Sequence, residues 1–123
     1  MTVTALYAGL LALWLVVLSF RVIFFRRQGD AADAQRMERA IRAQGNLSEY
    51  APTFLILLLL AEQFATPVLW LHVLGGTFLV GRLMHGTVFA FLAPNVFLRV
   101  GGMILTLLAL LAAAGTLLRA AIL

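Results

Sequence analysis

Apolar residues run almost unbroken from residue 2 to Phe25, polar ones dominate to residue 46, and three further apolar stretches follow. The first run carries no charge through residue 20 and is long enough to cross roughly 30 Å of hydrocarbon. No basic residue precedes it, and no small-x-small cleavage pattern comes before Arg26-Arg27, so it reads as a helix over about 2–25 rather than a leader peptide. Gly29-Asp30 ends that element. Asp30 is suited to cap the next helix, with Asp33 in its positive first turn, which predicts a second helix over about 31–64 that enters the membrane near Leu47. Pro52 lies inside it, removes one backbone donor and predicts a kink after Glu49 and Tyr50. Ala65-Thr66-Pro67 reads as a tight turn. The third helix covers about 68–91, interrupted by Arg82 and His85. Ala93-Pro94-Asn95 is the next turn, and the fourth helix covers about 97–118. The pattern predicts an all-α membrane protein, one domain forming a bundle of four transmembrane helices.

Composition agrees. The 123 residues are 63% hydrophobic and 11% charged, too apolar for water to be the only solvent. The absence of cysteine excludes disulfides, a thiol nucleophile and a thiolate metal site. All nine basic residues are arginine, whose planar fork suits carboxylates and phosphates, although a codon bias toward arginine would leave the same trace. Arg26, Arg27, Arg36, Arg39 and Arg42 fall between the first two helices and Arg99 follows the third, against Arg119 alone on the opposite side. This asymmetry predicts that both termini face away from the cytoplasm, in a bacterial inner membrane. The basic residues cluster at a membrane edge, which does not support nucleic-acid binding. His72 and His85 are too far apart on one helix to share a metal, so no metal is expected. Glu62 and His72 read as headgroup-level anchors, Trp14 and Trp70 as ordinary membrane aromatics. Gly75-Gly76, Gly101-Gly102 and Gly115 point to close helix packing.

Polar residues within the membrane are the candidates for chemistry. Arg39, Arg42, Asn46 and Glu49 follow one another at spacings of three, four and three, within about 80° on one helix face. A solvated stripe accounts for Arg39 and even Arg42. It does not account for Glu49, a carboxylate at a depth where charge is expensive unless paired. Arg82 and His85 share a face of the third helix at a comparable depth, and a Glu49–Arg82 ion pair is the economical solution. Such a pair could simply join two helices, or it could also line a polar pocket open to the cytoplasm. A lone His85 would ordinarily be a packed, hydrogen-bonded side chain.

These residues carry a family likeness. The stretch RAQGNLSEYAPTFL from Arg42 to Leu55, GRLMH from Gly81 to His85, and SFRVIFFRR from Ser19 to Arg27 resemble signatures of the membrane-associated proteins in eicosanoid and glutathione metabolism, the MAPEG family. The likeness implies a homotrimer holding glutathione between subunits on the cytoplasmic side. It implies that Arg42, Gln44, Asn46, Glu49 and Tyr50 bind the tripeptide, with Arg26 approaching from the first helix. Arg82 and His85, by their own depth and shared face, join the candidate binding set. Arginines can clamp the two carboxylates of glutathione, and Glu49 can take its ammonium. Two departures bear on catalysis. Phe89 stands where the eicosanoid synthases have a ligand-contacting tyrosine, and Val96 or Asn95 where they have a thiolate-stabilising arginine. Arg99 is the nearest arginine, with Arg26 in reserve.

The resemblance therefore implies a glutathione transferase or peroxidase acting on lipophilic electrophiles or lipid hydroperoxides that arrive from the membrane. The departures leave open a non-catalytic binding or structural trimer. A small proton-coupled drug exporter has a similar length and helix number. It would need a carboxylate in the first helix, and none is present.

Overall fold

The computed structural model describes residues 2–123. Four long helices follow one another: α1 (Thr2–Arg27), α2 (Ala34–Gln63), α3 (Val68–Ala90) and α4 (Val96–Ile122). Helices α1, α3 and α4 are each long and apolar enough to cross a membrane. The first half of α2 is polar, and its apolar second half continues without a break through Pro52. Both α1 and α4 pack on the α2–α3 pair.

The interior is made where the helix period repeats. The buried residues of α2 are Ala40, Ala43, Leu47, Ala51, Phe54, Leu58 and Ala61, a single stripe at steps of three and four. Phe54 stacks flat on Phe78 of α3, ring centroids 4.0 Å apart. The outward faces are as apolar as the core: Leu13, Phe20, Leu69, Phe97 and Leu111 are all exposed. An exterior of this kind is matched to lipid, and the chain is a multi-pass membrane protein.

Helix α3 approaches its neighbours through glycines. A Cβ on Gly81 would lie 2.8 Å from the Gly102 carbonyl oxygen, and one on Gly102 would lie 2.8 Å from the Gly81 carbonyl oxygen, so the α3–α4 crossing is backbone on backbone. Gly75 and Gly86 accept the rings of Tyr7 and Trp14 from α1. Gly115 has no such neighbour within 4 Å, contrary to the expectation that it marks a helix contact.

Three further expectations are corrected. Gly29, at φ 55°, opens a single 3-10 turn over Gly29–Ala31, which delays α2 to Ala34. Asp33, not Asp30, is the cap: its carboxylate accepts from the backbone N–H of Gln35 at 3.0 Å and of Arg36 at 3.2 Å. Helix α4 begins at Val96, where the Asn95 side chain accepts from Leu98 N–H at 3.1 Å, and it runs on to Ile122. Glu62 and His72, expected as headgroup-level anchors, both bond to α1, although His72 itself is exposed. The Glu62 carboxylate accepts from the N–H groups of Val3 (3.0 Å) and Thr4 (2.9 Å) and from the Thr4 hydroxyl (2.6 Å), closing the N-terminus of α1. The Tyr7 hydroxyl lies 3.1 Å from His72 Nδ1 and donates to the His72 carbonyl at 3.2 Å. Glu62→Ala frees several helix-terminal donors at once and is expected to cost about 1–2 kcal/mol, read as a lowered unfolding temperature in detergent.

Candidate functional site

Arg82 is the largest of the fully buried side chains. Its Nε donates to Thr106 Oγ1 on α4 at 2.9 Å, its Nη1 donates to Asn46 Oδ1 on α2, and its Nη2 contacts Met103 Sδ at 3.2 Å. The Tyr50 ring centroid is 5.3 Å from the guanidinium carbon. Thr106 passes its own proton to the Gly102 carbonyl at 2.8 Å. From α1, Trp14 Nε1 donates to the Arg82 carbonyl at 3.3 Å. One side chain thus ties α2, α3 and α4 together.

The expected Glu49–Arg82 pair does not form. Helix phase explains this. At 100° per residue Glu49 points roughly 150° away from the centre of the buried stripe of α2, whereas Asn46 stands at its edge, facing α3. Within one chain, and among the described residues, Arg82 therefore has neutral acceptors only, and the exposed Glu49 has no ion-pair partner.

The face between them is concave. A recess of about 410 Å³ is lined by Arg42, Asn46 and Glu49 of α2 with His85 and Phe89 of α3, within the usual range of ~300–1,000 Å³ for small-molecule sites. The recess is backed by a stack: His85 on Phe89 at 4.6 Å, and the Arg39 guanidinium 4.9 Å from the Phe89 ring centroid. Arg42 is held only by an exposed pair with Glu38 at 3.1 Å, which contributes little and is easily exchanged for a ligand.

The remaining residues singled out from the sequence do not all converge here. Tyr50 is half-buried over Arg82, behind the recess. Gln44 turns toward α1, where its Nε2 donates to Ser19 Oγ at 2.8 Å. Arg26 is exposed in the last turn of α1 and does not line the recess. Arg99 is exposed beside a separate, smaller cleft with Arg39, Phe89 and Val96. The sequence reading overlooked Trp14, Met103 and Thr106 as members of the Arg82 network. Nothing in their spacing announces them. It also overlooked Arg21, whose position inside an apolar run was a usable signal. Its Nε donates to the Ala90 carbonyl at 2.9 Å, closing the end of α3.

Comparison with known proteins covers nearly the whole chain. The MAPEG family pattern matches residues 4–119. The inner membrane protein YecN, from two strains of Escherichia coli, is similar at 40% identity over 88 residues, which covers 68% of this chain and 66% of YecN, just under two thirds of the latter. No solved structure matches. The four-helix architecture and the extent of the match identify the chain as a member of the MAPEG family.

Proposed function

We propose that the protein binds glutathione in the recess of α2 and α3 and uses it as a co-substrate, as a transferase toward lipophilic electrophiles or a peroxidase toward lipid hydroperoxides. The observation that carries this reading is the unmatched charge. Glu49 is an unpaired carboxylate on the outer face of a membrane helix, and Arg82 is a buried cation without a carboxylate, on either side of Asn46. Arg82 is sealed behind neutral acceptors, whereas the exposed Glu49 carboxylate can take a cationic group from outside its chain. Glutathione supplies complementary groups. Its ammonium suits Glu49, and its carboxylates suit Arg42, which gives up Glu38 to take them. Ile41, Arg42 and Glu49 are exposed along the recess, where a second copy has room to cover it. Membership of the family supports a homotrimer as the working unit, and the arginine asymmetry supports its lying in a bacterial inner membrane with both termini away from the cytoplasm.

For conjugation, the thiol must be a thiolate when it attacks the electrophilic carbon and expels the leaving group. Arg99 stands in for the missing arginine near Val96 and would steady that charge, with Arg26 of an adjoining copy as the reserve. Thiolate formation on mixing glutathione with the purified protein, followed by ultraviolet difference absorbance, tests the first step. Arg99→Leu should keep most of the glutathione affinity and lose turnover of an aryl halide by about tenfold or more, ~1.4 kcal/mol of transition-state stabilisation. Unchanged turnover removes Arg99 from the mechanism. The competing reading is a non-catalytic glutathione-binding trimer. It is favoured by the separate cleft of Arg99 and by Phe89, which offers the ligand no hydroxyl. Tight binding without thiolate formation or turnover identifies it.

A further inference from the structure

The end of the bundle that carries the arginine-rich loop has a second basic recess, separate from the one above. It measures about 340 Å³ and lies between the start of α2 and the α3–α4 turn, lined by Gln35, Arg36, Arg39, Phe91 and Pro94 among others. None of its lining residues is acidic. Arg39 Nη2 donates to the Val88 carbonyl at 2.7 Å, and its remaining N–H groups have no protein acceptor. The Arg36 side chain makes no hydrogen bond. Its guanidinium carbon lies 5.5 Å from the Phe25 ring centroid, and that of Arg21 lies 4.7 Å from the same ring. Two like charges therefore share one aromatic ring, and among the described residues no carboxylate pairs with Arg21, Arg36 or Arg39. Of the acids nearby in the chain, Asp33 caps α2, Glu38 pairs with Arg42, and Asp30 forms no ion pair with these arginines.

The geometry points to a binding site for the phosphate of an anionic membrane lipid, with Arg36 and Arg39 as its donors. The chemistry required is an oxyanion with several acceptor oxygens, which the guanidinium fork matches. A free phosphate shares that chemistry, but the surroundings select the lipid. The recess sits at the C-terminal end of the apolar helix α3, and exposed Phe91 and Leu92 in its lining give acyl chains an apolar wall. Basic recesses between transmembrane helices at this level are suited to lipid headgroups.

The test uses the full-length protein in nanodiscs of phosphatidylcholine mixed with phosphatidylglycerol, with retained lipid counted by native mass spectrometry. Phosphatidylglycerol should be retained in preference to phosphatidylcholine. Arg36→Gln should weaken that preference about fivefold. This variant breaks no hydrogen bond of the Arg36 side chain, so its folding is not at stake. Arg36→Gln/Arg39→Gln should weaken the preference further, while Arg119→Gln at the opposite end should not change it. Inorganic phosphate in large excess, and glutathione, should leave the lipid in place. Retention unaffected by Arg36→Gln, equal loss in Arg119→Gln, or displacement by inorganic phosphate would each overturn the assignment, the last by showing a soluble anion to be the ligand.

Discussion

Asn46→Leu is expected to destabilise the protein by about 2–3 kcal/mol, more than the double variant Asn46→Leu/Arg82→Met. Asn46 Oδ1 is the α2 acceptor for a guanidinium that is buried among α2, α3 and α4. Removing it leaves a desolvated cation short of an acceptor, at a cost of roughly 1.5–3 kcal/mol for a hydrogen bond to a charged group. Replacing the arginine as well removes the stranded charge, and apolar replacement of buried ionic groups is commonly neutral or better. Thr106 loses little in that case, because it still donates to the Gly102 carbonyl. A double-mutant cycle on thermal or denaturant unfolding in detergent, without glutathione, should give at least ~1 kcal/mol of coupling between Asn46 and Arg82. Glu49→Gln should be nearly neutral and uncoupled to Arg82, because Glu49 is exposed and touches nothing charged within its chain. Strong Glu49–Arg82 coupling with none at Asn46 would reverse the assignment.

Gly102→Val is expected to have a comparable effect for a different reason. A Cβ at Gly102 would lie 2.8 Å from the Gly81 carbonyl oxygen and 2.9 Å from the His85 backbone nitrogen. Both are main-chain atoms, so no side chain can swing aside and α3 must move away from α4. Overpacking of this kind costs about 1–3 kcal/mol. Here it also pulls Arg82 from Thr106 and shifts His85 at the edge of the recess, so ligand binding should weaken along with stability. Gly115→Ala is the control: its Cβ would meet nothing within 4 Å, and a gain of up to ~1 kcal/mol from helix propensity is expected. A Gly102 variant as stable as the Gly115 variant would mean that the helices are not in backbone contact.

Four helices were legible because each apolar run is bounded by a turn signal that chemistry enforces: Gly29, Pro67 and Pro94. The start of α2 was harder. Asp30 and Asp33 are equally good caps on paper, and only the left-handed Gly29, followed by the 3-10 turn, decides between them. At the candidate site, spacing correctly put Arg42, Asn46 and Glu49 on one face and His85 near them. It did not say how far that face is turned from the core. The Glu49–Arg82 pairing came from matching charges at equal depth. The packing stripe of alanines, leucines and Phe54 rotates Glu49 outward and hands Arg82 to Asn46 instead. Gln44 shows the same limit. Its partner Ser19 lies 25 positions earlier, and only the packing of α1 on α2 brings the two together.

Equilibrium titration of glutathione into the purified protein, by calorimetry, tests the central claim most directly. Saturable binding is expected. Glu49→Gln should weaken it by about tenfold or more through loss of the ammonium contact, ~1.5–3 kcal/mol, while unfolding stability stays unchanged. Absence of saturable binding, or equal affinity in the parent and Glu49→Gln proteins, would contradict a glutathione site built on α2.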